Sequence, residues 1–164
     1  MNTLVVVRHA KSSWDYPVDD IDRPLSFYGI RRIKKMVNNN KYIFTKTNII
    51  YSSPANRASH TALILSRLMD FDSSKIIFDD ELYTFSASSI ENFIYSIPNK
   101  YDYITIVGHN PAFTDIINKF SNKKISNLPT SCWVKIVFDI DNWNNTRIGD
   151  GTLGLKDKIK ENNV

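Results

Sequence analysis

Three short motifs carry side chains suited to an anionic phosphoryl group. Arg8-His9 closes a β-branched run, Ser52-Ser53-Pro54 stands just ahead of Arg57, and Gly108-His109 closes a second apolar run. Histidine suits such a site as nucleophile. Its unperturbed pKa near ~6.5 leaves much of it neutral at cellular pH, with a lone pair to offer phosphorus. Its second ring nitrogen must then be held, usually by a carbonyl or carboxylate. Arginine forks match phosphate oxygens two at a time, and a helix N-terminus near Arg57 would add free N–H groups and the helix dipole. Positioning in line and neutralising charge on the equatorial oxygens supply the rest of such a reaction.

Each residue also has a plainer reading. A histidine at a strand end can be structural, Arg8 and Arg57 can be salt-bridge partners, and Gly108 can mark a tight turn. The joint pattern favours chemistry, because two of the three histidines follow corresponding strands. The third, His60, falls inside a helical stretch and reads as structural.

The elements that must position these groups are legible as local patterns. Thr3 to Val7 and Tyr103 to Val107 are short apolar runs without alternation, as expected of strands buried on both faces. Further strands are expected over Asn48 to Tyr51, Lys75 to Phe78 and Trp133 to Phe138. Lys11 to Leu25, with Pro17 and Pro24, reads as a loop. Gly29 to Val37 reads as a helix, with Ile30, Ile33 and Val37 on one face, stopped by Asn38 to Asn40. A helix over Ala55 to Met69 would bury Leu65 and Leu68, with Pro54 in its first turn and Ser53 as cap. Ser88 or Ser89 would cap a helix running to Ser96, and Pro111 would start one ending near Phe120. Beyond Asp141 the signal fades. Strands alternating with helices imply an α/β fold, a three-layer sandwich around a mostly parallel sheet. Such sheets bind ligands at the carboxyl ends of their strands.

Bulk properties bound the function classes. The 164 residues suit one domain, expected over residues 1–155, with residues 156–164 as a frayed tail. A hydrophobic fraction of 42% with 23% charged residues fits a globular chain rather than a disordered one. The single cysteine, Cys132, excludes an intrachain disulfide and a cysteine-ligated zinc site. No secretory signal and no run of ~18 apolar residues is present, so a cytoplasmic protein with no membrane partner is expected. The net charge of +4 suits an anionic substrate or simply reflects solvated lysines, and no basic block is long enough to suggest nucleic acid.

Several segments resemble one family. RHAKSSW at Arg8 to Trp14, DRPLSFYG at Asp22 to Gly29, SSPANRASHTA at Ser52 to Ala62 and VGHNPAF at Val107 to Phe113 look like the histidine phosphatase superfamily, and best like its short SixA-type phosphohistidine phosphatase branch. LPTSCWVKIVFD at Leu128 to Asp139 resembles that branch more weakly. The resemblance implies the phosphoglycerate mutase-like fold, with His9 as the phosphorylated nucleophile and Arg8, Arg57 and His109 around the phosphate. It implies no metal or organic cofactor. Ser12, Asp22 and Arg23 match motif positions expected to contact substrate or orient the site, although Asp22 and Arg23 can equally be a loop ion pair. The implied partner is a phosphohistidine-bearing protein, a phosphorelay or phosphotransfer domain.

Two positions depart from the family pattern. Ala10 replaces the glycine of Arg-His-Gly, which implies no positive φ at residue 10. Thr84 stands where many members carry a glutamate general acid, and Glu81 lies three residues out of register. An alkoxide leaving group needs a proton from an acid, whereas imidazole, with a conjugate-acid pKa near ~6.5, departs with little help. The absent acid therefore favours phosphohistidine over phosphate esters. The alternatives are a small-molecule phosphomonoesterase using Glu81 or an aspartate between Asp15 and Asp22, and a phosphate-binding module without turnover.

Overall fold

The structure is a computed structural model and describes residues 1–155. The expectation of a frayed tail over residues 156–164 falls outside the described residues. In chain order the elements are β1 (Asn2–Arg8), α1 (Phe27–Asn39), α2 (Lys41–Phe44), β2 (Ile49–Ser52), α3 (Asn56–Leu68), β3 (Ile76–Phe78), α4 (Ala87–Ser96), β4 (Tyr103–Gly108), α5 (Ala112–Phe120), β5 (Trp133–Phe138) and β6 (Asp150–Gly154).

The strands form one sheet in the order β3-β2-β4-β1-β5-β6. The first four are parallel, β5 runs antiparallel to β1, and β6 antiparallel to β5. Period-two geometry explains the unalternating runs. In β1, Leu4 and Val6 enter the core beneath α4 and α5, while Val5 and Val7 enter the core beneath α1 and α3. Both faces are covered, so both sets are apolar. The expected three-layer α/β sandwich is the fold observed. Fully buried Phe113, Phe138 and Trp143 anchor the α4/α5 side. Each such side chain contributes about 1.5–3 kcal/mol by leaving water.

Several local expectations shift. The first helix starts at Phe27, because the Ser26 hydroxyl accepts from the Gly29 amide at 3.0 Å and so caps it. Ser53 is not a helix cap. Its hydroxyl accepts from the Ala55 amide at 3.2 Å in the preceding turn, and α3 begins only at Asn56. Neither Ser88 nor Ser89 caps α4, which begins at Ala87; Ser86 precedes it and spends its hydroxyl on Ser88. The edge strand β6 lies in the stretch where the sequence signal fades. It pairs with β5 and so completes the side of the sheet next to β1.

Two glycines allow close approaches near the strand ends. A Cβ on Gly108 would lie 2.6 Å from the Phe113 ring, so packing of α5 and not a left-handed φ requires glycine there. A Cβ on Gly29 would lie 2.1 Å from the Lys11 carbonyl oxygen, which ties α1 to the segment just after His9.

Candidate active site

Sheet register brings the three motifs together. Arg8 pairs with Gly108 across β1 and β4, so His9 and His109 leave neighbouring strands side by side. The His9 amide donates to the Gly108 carbonyl at 3.1 Å, and the Ser53 amide to the Val107 carbonyl at 2.9 Å. The imidazole centroids lie 5.1 Å apart. On the other side the chain enters β5 through Ser131, whose amide donates to the carbonyls of Arg8 and His9. Ser131 has φ 59°, a strained value for a residue with a Cβ. Ala10 has no positive φ, as its replacement of glycine implies.

These ends surround a cavity of about 300 Å³ whose lining includes Arg8, His9, Ser12, Arg23, Arg57 and His109. Six of the seven residues singled out in the sequence therefore meet there. The seventh, Asp22, does not: it is exposed, and its contribution is a backbone carbonyl that accepts from Asn56 at 3.1 Å. The carboxylate in the cavity belongs to Asp20. It accepts from Arg57 Nη2 at 3.0 Å, Arg23 Nε at 3.1 Å and the Tyr83 hydroxyl at 2.6 Å. The loop ion pair that Asp22 and Arg23 suggested is thus made by Asp20, three residues before Arg23 on a 3₁₀ turn. An Asp-rich stretch flagged the region, but spacing could not choose among Asp19, Asp20 and Asp22.

The His9 ring is held in one orientation by the backbone. Its Nδ1 lies 2.7 Å from the Ala10 carbonyl. A carbonyl only accepts, so Nδ1 carries the proton and Nε2 keeps its lone pair. The Ala10 amide donates to Thr61 Oγ1 at 2.9 Å, and that hydroxyl donates to the Arg57 carbonyl at 2.7 Å, locking the turn onto α3. His109 Nε2 sits 2.8 Å from Ser53 Oγ. Neither Ser53 nor Thr61 carried a sequence signal for this work, since each acts through a neighbour distant in the chain.

Burial sets the protonation states. It pushes the His9 pKa down to about 4, with Arg57, Arg8 and Arg23 adding repulsion and the Ala10 carbonyl opposing. It pushes His109 down to about 3, with His9 and Arg57 as the next contributors. Both imidazoles are therefore neutral at pH 7. Asp20 is held down to about 2, first by the Tyr83 hydroxyl and then by Arg57 and Arg23. A carboxylate held that firmly ionised is no proton donor near neutrality.

The cavity has unspent donors. Arg57 uses Nη1 on the Asp20 carbonyl and Arg8 uses Nη1 on the Leu128 carbonyl. The buried Nε groups of both arginines and Nδ1 of His109 make no hydrogen bond among the described residues. Buried guanidinium N–H groups without partners are costly, and an oxyanion would satisfy them. Asn110 also lines the cavity, its side-chain amide donating to the Leu128 carbonyl at 2.9 Å. Thr84 and Glu81 do not line it; Phe85 does. Among the described lining residues Asp20 is the one carboxylate. No group of three or more His, Cys, Asp or Glu side chains among the described residues is arranged to hold a metal ion. No helix among them is long and apolar enough to cross a membrane.

Known proteins share this architecture. A structure of SixA from Agrobacterium tumefaciens, provisionally assigned as a phosphohistidine phosphatase, superposes with a TM-score of 0.72 at 23% identity, over 84% of this chain and 92% of that one. The protein histidine phosphatase SixA in complex with tungstate gives 0.75 at 19% identity, over 92% and 93%. A phosphoglycerate mutase from Bacillus anthracis gives 0.66 at 16%, over 94% and 92%. At these identities the likeness is one of fold. No curated protein matches the chain. The family model for branch 1 of the histidine phosphatase superfamily matches residues 4–103, a stretch that carries Arg8, His9, Asp20 and Arg57. It covers more than half of the sequence, and the chain belongs to the histidine phosphatase superfamily.

Proposed function

We propose that this protein is a phosphohistidine phosphatase that acts on a phosphorylated protein through a covalent intermediate on His9. One observation carries the reading: a neutral His9, pinned through Nδ1 to the Ala10 carbonyl, sits in an arginine-lined cavity whose one carboxylate among the described residues, Asp20, is held ionised and so cannot serve as a carboxylic acid. The Nε2 lone pair attacks phosphorus, and the P–N bond to the substrate ring, protonated from solvent on its other nitrogen, breaks so that the ring leaves as neutral imidazole. Water then attacks phospho-His9, and the P–N bond to His9 breaks to release inorganic phosphate and restore the ring. Arg8 and Arg57 offset charge on the equatorial oxygens throughout, with the unpaired His109 Nδ1 available as a further partner if it carries the proton. Ser12 and Arg23, hydrogen-bonded to each other through Arg23 Nη1 at 2.5 Å, flank the phosphoryl group.

The arginines supply the positive charge of the reaction, and the mechanism calls on no cofactor. Tungstate bound to a SixA is an oxyanion of the kind this cavity would accept. The missing acid selects the leaving group, since a general acid is worth roughly 10²–10⁴ in rate for a basic alkoxide. The test offers purified protein a phosphohistidine phosphotransfer domain and a sugar phosphate in parallel. The expected result is a kcat/KM for the phosphohistidine protein at least about 100-fold higher, with an acid-labile phosphoenzyme trapped on wild type and not on His9→Ala. Faster hydrolysis of the ester refutes the reading, and so does a phosphoenzyme that survives His9→Ala.

A further inference from the structure

The loop between Ser12 and Pro24 leaves the cavity at Trp14, returns to it at Asp20, and presents apolar side chains to water. Trp14 and Asp20 both line the cavity, and the chain between them, residues 15–19, is exposed throughout. Trp14 is 77% exposed, Tyr16 58%, Val18 46% and Ile21 38%. Phe85 lines the same cavity, is 59% exposed, and sets its ring edge-on to His109 at 6.5 Å. Single exposed hydrophobic residues are ordinary; a set gathered at one opening marks an interaction site.

The loop is held in place before any partner arrives. The Arg23 guanidinium lies 3.6 Å from the centre of the Trp14 ring and is itself tied to Ser12 and Asp20. The Ser13 amide donates to the Pro24 carbonyl at 2.8 Å, the Val18 amide to the Tyr16 carbonyl at 2.9 Å, and Arg57 to the Asp20 carbonyl at 2.7 Å. A preformed aromatic rim loses little entropy on binding. Tyr16 and Val18 do not line the cavity, so a substrate the size of a phosphoryl-imidazole gains nothing from them. A macromolecule does. The exposed carboxylates Asp15, Asp19 and Asp22 share the loop, outside the cationic cavity. The charge therefore runs from positive within to negative on the rim.

We propose that Trp14, Tyr16, Val18, Ile21 and Phe85 form the docking rim for the substrate protein. The partner presents its phosphohistidine on a folded surface with apolar side chains beside it and basic residues farther out. This rests on the phosphohistidine reading above. A patch this small suits a transient encounter, in which a few aromatic side chains carry most of the binding.

The test is the double variant Tyr16→Ser/Val18→Ser, which changes two exposed side chains outside the cavity. Its kinetics are compared with wild type on a phosphorylated histidine phosphotransfer domain and on the phosphoramidate ion. The expected result is a roughly tenfold higher KM for the phosphorylated domain, the loss typical of one interface anchor, with kcat on that domain and both constants on phosphoramidate unchanged. A KM on the domain within twofold of wild type overturns the rim while leaving the phosphohistidine reading intact. An equal loss on phosphoramidate also overturns it, by showing that the loop acts on the cavity. Failure of wild type to hydrolyse the domain overturns the protein-substrate reading, and the docking rim falls with it.

Discussion

Acid should destabilise this protein through its two site histidines. His9 falls to about 4 and His109 to about 3 in the folded chain, against an ordinary 6.5. Both folded values are depressed, so the unfolded chain takes up protons first as pH falls. The stabilisation is complete above 6.5 and is lost progressively as pH falls toward the folded values. Each ring contributes a slope approaching ~1.4 kcal/mol per pH unit, so moving from pH 7 to pH 5 removes roughly 2 kcal/mol per histidine and about 4 kcal/mol for the pair. For a domain of this size, that corresponds to a fall in Tm of roughly 8–16 °C. Asp20, held down to about 2, stays ionised across this window and adds no slope. The assay is urea unfolding at half-unit steps of pH for wild type and His109→Gln. The variant should lose about half of the pH dependence attributed to the pair, about 2 kcal/mol, whatever its absolute stability. Sulfate, a dianion throughout the window, should flatten the wild-type profile by favouring the charged imidazoles. Equal slopes in wild type and variant would refute the argument, as would a wild-type profile indifferent to sulfate.

Other outcomes follow from single contacts. Arg57→Lys keeps a charge but loses the planar fork, and kcat/KM on phosphohistidine should fall at least about tenfold; an unchanged value would mean that point charge suffices. Asp20→Asn removes the internal carboxylate that occupies Arg57 and Arg23, so phosphate affinity measured by calorimetry should rise a few-fold. The gain is kept small because the Asp20 side chain is 45% exposed; weaker binding would assign Asp20 a purely structural role. Gly29→Ala places a methyl 2.1 Å from the Lys11 carbonyl oxygen and should cost about 1–3 kcal/mol in urea unfolding. A loss under about 0.5 kcal/mol would show that the segment after His9 yields freely.

Local chemistry makes much of this protein legible in its sequence. Leu4 to Val7 and Ile104 to Val107 announce strands covered on both faces, because an unalternating apolar run has no side to offer water. A parallel sheet then puts the residues after those strands at one edge, so Arg8, His9, Arg57 and His109 can be grouped from their spacing. The fold class and four cavity-lining side chains follow from short-range pattern and strand direction alone.

What pattern cannot decide depends on contacts between segments far apart in the chain. Three aspartates lie within four residues, and only the folded loop selects Asp20 by bringing it against Arg57 and Tyr83. Ser53 resembles a helix cap because Pro54 follows it; the neighbouring strand brings His109 to its hydroxyl, and α3 starts later. The strand over Asp150–Gly154 has little apolar content of its own and exists because β5 offers a free edge to pair with. Periodicity reports how one segment meets water, whereas these choices turn on which of several similar groups another segment can reach.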